Sequence, residues 1–201
     1  MNNKSIEVEL RAEVTMDDVE SLKKRLSEIG KVLSNTRRLS VMCFGKINEQ
    51  KTDIRIRITN GECEIVAKFG SFSSHDRLEL SQKIEKDQFF GMVKIFSQFK
   101  FDTEIGERET INYELPDGIV ASLVLAGSIA YIELEKMSSD SDVFESKIKL
   151  QKLADDFNLQ ILDENKFDIL CQKLSESVDW SLHGADDEYL KLENIFKTYI
   201  K

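Results

Sequence analysis

The chain has 201 residues, 41% of them hydrophobic and 32% charged, and a formal net charge of −9. Its length suits one sizeable core, its composition excludes wholesale disorder, and its acidic balance argues against generic affinity for nucleic acid or an anionic membrane. No apolar run approaches the roughly 20 residues that span a bilayer. MNNKSIEVEL lacks the apolar stretch of a secretory signal, so a cytoplasmic protein is expected. Cys43, Cys63 and Cys171 have neither disulfide nor zinc spacing and read as buried thiols.

Alternating apolar and charged residues predict a first strand over Ser5 to Val14. Thr15 then caps a helix from Met16 to Ile29, with Val19, Leu22, Leu26 and Ile29 on one face and Gly30 as its stop. A second strand covers Leu39 to Lys46. TDIRIRI and CEIVAKF flank Asn60-Gly61, a strong signal for an antiparallel hairpin of strands three and four. Further strands are predicted over Arg77 to Ile84, Glu107 to Glu114, Ile119 to Leu125 and Ala130 to Met137. Pro116-Asp117-Gly118 turns the chain between the sixth and seventh. Helices are predicted over Asp87 to Phe99, Val143 to Phe157, Glu164 to Glu176 and Asp186 to Tyr199, the last as a C-terminal extension against which Trp180 docks. The domain reading is 1–178 for the strand-rich body and 179–201 for that helical extension.

Residues two apart on a strand share a face. Glu7, Glu9 and Arg11 therefore lie together, as do Arg55 and Arg57, Glu62, Glu64 and Lys68, Arg77 and Glu79, and Glu133 and Glu135. The opposite faces are aliphatic. A solvated antiparallel face explains any one strand, but the set separates into cationic strands and two Glu-x-Glu strands. Turned inward, such faces suit a polyphosphate and a hard divalent cation: guanidinium and ammonium groups bind phosphate oxygens, and carboxylates bind Mg2+ or Mn2+. His75 and His183 are isolated and read as solvent-facing, Cys63 lies on the aliphatic side, and no P-loop or dinucleotide motif occurs.

Glu7-Val8-Glu9-Leu10-Arg11 resembles the ExExK strand of the CYTH or triphosphate tunnel metalloenzyme superfamily, with Arg in place of Lys. The resemblance continues in order through Arg55-Ile56-Arg57, Lys68, Arg77-Leu78-Glu79, Arg108 and Glu133-Leu134-Glu135, and covers roughly residues 5 to 176. It implies an α+β fold: an eight-stranded antiparallel closed β-barrel, or tunnel, with flanking helices and a C-terminal helical tail. It also implies metal-dependent hydrolysis of inorganic tripolyphosphate or a nucleoside triphosphate. The family's range further includes adenylate cyclase, and a binding module with weakened catalysis is an alternative. Carried over by position, Glu7, Glu9, Glu133 and Glu135 would be the catalytic and Mg2+- or Mn2+-binding carboxylates. Arg11, Arg55, Arg57, Lys68, Arg77 and Arg108 would bind phosphate, with Glu79 in support. The expected partner is a triphosphate-containing small molecule rather than nucleic acid or membrane; a homodimer is left open. The chain departs from the family pattern at Thr110 and Leu123, where the resemblance expects Arg and Asp.

Overall fold

The computed structural model describes residues 6–70, 78–139 and 141–200. They form an α+β fold with five α-helices and an antiparallel sheet. The strands are β1 (Ile6–Val14), β2 (Lys31–Ile47), β3 (Gln50–Thr59), β4 (Glu62–Phe69), β5 (Leu78–Ile84), β6 (Asp102–Leu115), β7 (Ile119–Ala126), β8 (Ile129–Ser138) and β9 (Trp180–Ser181). The helices are α1 (Val19–Ile29), α2 (Phe89–Ser97), α3 (Val143–Asp156), α4 (Glu164–Ser177) and α5 (Asp186–Phe196). Hydrogen bonding runs β1-β8-β7-β6-β2-β3-β4-β5, with β9 paired to β6. Among the described residues no ladder joins β5 to β1, so hydrogen bonds do not close the sheet into the expected barrel. One reason lies at β1 itself. Ala12 bridges Ile161, and the Leu162 N–H donates to the Arg11 carbonyl at 2.8 Å, so this segment takes up backbone positions of β1.

Contacts divide the chain into two compact units, Met1–Asn35 with Glu109–Leu174, and Thr36–Arg108 with Ser175–Lys201. The first unit packs the aliphatic faces of β1, β7 and β8 under α1 and α3. Val8, Ala12, Leu123, Ile132 and Leu134 meet Val19, Leu22, Leu26, Leu150 and Ala154 in one core. The alternation in β1 produces this directly, because each buried Val or Ala places its charged neighbours on the other side. Gly30 is not a left-handed stop: its φ is −141°, and the chain passes straight into β2. Glycine is required there by crowding, since a Cβ would lie 2.6 Å from the Glu114 carbonyl oxygen.

In the second unit the core face of β3, Ile54, Ile56 and Ile58, packs with Leu39, Val41, Cys43, Phe89 and Ile105. The β3–β4 hairpin forms as read, with Thr59 opposite Glu62 and positive φ at Asn60 and Gly61. A second two-residue turn joins β2 to β3 through Asn48 and Glu49, both at positive φ. Glutamate in that conformation carries no glycine signal, so this turn is not legible from composition. Leu182, Leu192, Phe196 and Tyr199 lie in the same core, so the segment expected as a tail contributes buried side chains to this unit.

Candidate active site

The β1–β8 register pairs Glu9 with Glu135 and Arg11 with Glu133, placing all four side chains on the face opposite the first unit's core. The carboxylates of Glu9, Glu133 and Glu135 each offer an oxygen within 4.8 Å of the others. Arg11 lies among them, its Nε donating to Glu133 Oε1 at 3.2 Å and its Nη2 bonded to Glu9 Oε2. The Phe167 ring of α4 lies 4.4 Å from the Arg11 guanidinium carbon, a cation–π contact that covers it from the helix side. Glu7 is on the same face but is not one of the three gathered carboxylates.

One guanidinium cannot neutralise this cluster. Burial pushes Glu9 up to about 8, with Glu133, Glu135 and Glu7 adding to the rise and Arg11 opposing it. Glu135 is pushed up to about 7, again first by burial and then by Glu7 and Glu133. Burial works against the Arg11 cation, yet Glu9 and Glu133 outweigh it and hold its proton more tightly than usual. An all-oxygen donor set gathered this closely and short of positive charge fits a hard divalent cation.

Across β7 the register corrects one assignment. Leu123 faces Ile132 in the core and is fully buried, whereas Ser122 faces Glu133. The position opposite the carboxylates is therefore a hydroxyl, and Leu123 is a packing residue. The polar row continues through Asn112, opposite Ser122, whose Nδ2 donates to Ser34 Oγ at 2.8 Å.

The second unit carries the cationic face. Arg55 Nη2 lies 2.8 Å from Asp53 Oδ2, Arg57 Nε 2.8 Å from Glu64 Oε1, Lys68 Nζ 2.9 Å from Glu79 Oε2, and Arg108 Nη1 2.7 Å from Asp179 Oδ1. Each cation is thus engaged by a carboxylate. Asp53, only 1% exposed, is absent from the sequence reading, although its place two residues before Arg55 puts it on the same face. Asp179 has no local signal, because its partner lies 71 residues away. Beside Glu64 opens a recess of about 360 Å³ with Arg38, Thr59, Asn60, Glu62 and Lys83 in its walls. Cys63 is buried with its thiol pushed up by that burial, the opposite of an activated nucleophile. Arg77 and His75 lie outside the described residues.

No family profile and no curated protein matches the sequence. Solved structures do. The Hippeastrum protein HpAC1, for which a dominant triphosphatase activity is described, is 15% identical with a TM-score of 0.62, over 84% of this chain and 96% of that one. The PH1012 protein of Pyrococcus horikoshii OT3 is 17% identical with a TM-score of 0.61, over 80% and 93%. The chain has the fold of these proteins. That agrees with the CYTH resemblance read from its strands. A chain of the Schizosaccharomyces pombe Mediator head module also matches, at 11% identity and a TM-score of 0.54 over 79% and 98%. The fold alone therefore does not carry an activity. Among the described residues no helix is long and apolar enough to cross a membrane.

Proposed function

We propose that this protein is a metal-dependent triphosphatase acting on inorganic tripolyphosphate or a nucleoside triphosphate. The observation that carries the reading is the meeting of Glu9, Glu133 and Glu135 around Arg11 on one face of β1 and β8. Those three carboxylates would hold Mg2+ or Mn2+, which when bound supplies charge neutralisation for the phosphates and a more acidic water. Arg11, charged and tied to Glu9 and Glu133, fixes the orientation of both carboxylates. Arg55, Arg57 and Lys68 bind phosphate oxygens by charge-assisted hydrogen bonds, in competition with Asp53, Glu64 and Glu79. Hydrolysis forms a bond from water oxygen to the terminal phosphorus and breaks its P–O–P bond, releasing orthophosphate and, from tripolyphosphate, pyrophosphate.

Phosphate release from tripolyphosphate and from ATP, with Mg2+ or Mn2+ and with chelator, tests the reading against a Glu9→Gln/Glu135→Gln variant. Metal-dependent release lost in the variant supports it; no release above the variant rejects the enzyme. A binding module with weakened catalysis is the second reading, favoured by Ser122 standing opposite Glu133. Calorimetric binding of tripolyphosphate without turnover would select it.

A further inference from the structure

In the second unit, one carboxylate reaches the cationic face from a strand far along the chain. The β6–β9 register pairs Ile105 with Trp180 and Glu104 with Ser181. One residue further in the same register, Asp179 stands opposite Gly106. Ile105 belongs to the core with Ile54, Ile56 and Ile58, so Gly106 and Arg108 take the other face, the face of Arg55 and Arg57. Asp179 Oδ1 and Oδ2 accept from Arg108 Nη1 and Nη2 at 2.7 and 2.8 Å, a bidentate fork. The pair is largely dry, with side chains 16% and 2% exposed for Arg108 and Asp179. Gly106 makes the approach possible, since a Cβ there would lie 2.6 Å from Asp179 Oδ1. The carboxylate is also firmly placed. The Leu182 N–H donates to the Thr103 carbonyl at 2.9 Å, and Leu182, Leu192 and Phe196 are core residues.

We propose that Asp179 is an internal occupant of a phosphate subsite and sets how tightly the protein holds a polyanion. Carboxylate and phosphate use the same fork of a guanidinium, so with the Asp179 carboxylate seated in that fork Arg108 meets an incoming phosphate already neutralised. Because a core-packed segment delivers the carboxylate, the competition is permanent rather than switched. It lowers affinity for the substrate and favours release of the anionic product. This inference rests on the triphosphate reading above.

The test is calorimetry of tripolyphosphate binding to the full chain at low and moderate salt, for wild type, Asp179→Asn and Asp179→Asn/Arg108→Gln, with unfolding curves to establish that each is folded. The Asn variant should bind about tenfold more tightly with a steeper salt dependence, because residue 179 no longer brings a carboxylate to the Arg108 fork, and Arg108→Gln should remove the gain. A purely structural Asp179 would change stability and leave affinity unmoved or weakened. That result, or a gain that survives Arg108→Gln, overturns the proposal while leaving wild-type binding intact. Absence of tripolyphosphate binding in every variant overturns the triphosphate reading and this inference with it. Should the Asn variant fail to fold, Asp179→Ser carries the same expectation.

Discussion

Replacing Glu9 by Gln removes one titrating carboxyl from a group that shares a single guanidinium, and the effect on stability should change with pH. Glu9 is displaced from 4.5 to about 8 by burial and by Glu133, Glu135 and Glu7. A carboxyl whose folded pKa is raised stabilises the fold below its unfolded pKa and loses that contribution as pH rises through the folded value. Wild type should therefore fall relative to the variant between about pH 4.5 and about pH 8. At about 1.4 kcal/mol per pH unit the displacement bounds the change at about 5 kcal/mol. The carboxylates share protons, so neutralising one lets its neighbours ionise more easily, and about 2 kcal/mol of difference should remain. For a chain of this size that is about 4–8 °C in melting temperature. Urea unfolding in chelator at about pH 5 and about pH 8.5 measures it, with the Glu9→Gln variant gaining on wild type at the higher pH. Saturating Mg2+ should reverse the order, since a cation held by the ionised carboxylates stabilises wild type more. A difference between variant and wild type that stays constant across this pH range would refute the reasoning.

Three further outcomes follow from the same geometry. Ser122→Asp adds a carboxylate opposite Glu133; it should destabilise the metal-free protein by about 1–3 kcal/mol and raise Mn2+ affinity several-fold by calorimetry. Leu123→Ala should cost about 2–5 kcal/mol in urea unfolding, because the side chain is fully buried against Ile132, with no specific change in metal affinity. Gly106→Ala should cost about 1–3 kcal/mol, and most of that loss should vanish in an Asp179→Ser background, a coupling that a double-mutant cycle reads directly.

Where one strand's own periodicity governs the outcome, the sequence is a sufficient guide. Glu9, Arg11, Glu133 and Glu135 alternate with aliphatic residues that need burial, so their shared face follows from the pleat. The Asn60-Gly61 hairpin is equally legible because its turn chemistry is local. Counting across a turn fails. Spacing puts Leu123 opposite the carboxylates, but a shift of one residue exchanges the two faces of a strand, and Ser122 holds that place. The strand over 31–38 escapes the pattern because KVLSNTRR has no clean alternation, and Val32 and Leu33 remain exposed within it. Asp179 and Phe167 are invisible for another reason: their partners, Arg108 and Arg11, lie 71 and 156 positions away, and only tertiary packing brings them together.

Neither compact unit is built from one continuous stretch of chain, and this governs when each can fold. The first must wait for β6 to β8 and α3, which emerge more than seventy residues after β1 and α1. The second needs Leu182, Leu192, Phe196 and Tyr199 to finish a core that begins at Leu39. During synthesis, Ile54, Ile56 and Ile58 therefore leave the ribosome well before their last partners, on strands able to pair with other chains. A nascent chain stalled at Val178 would carry the complete carboxylate cluster and an unfinished second core. It should be a substrate for chaperones and proteases rather than a smaller working protein.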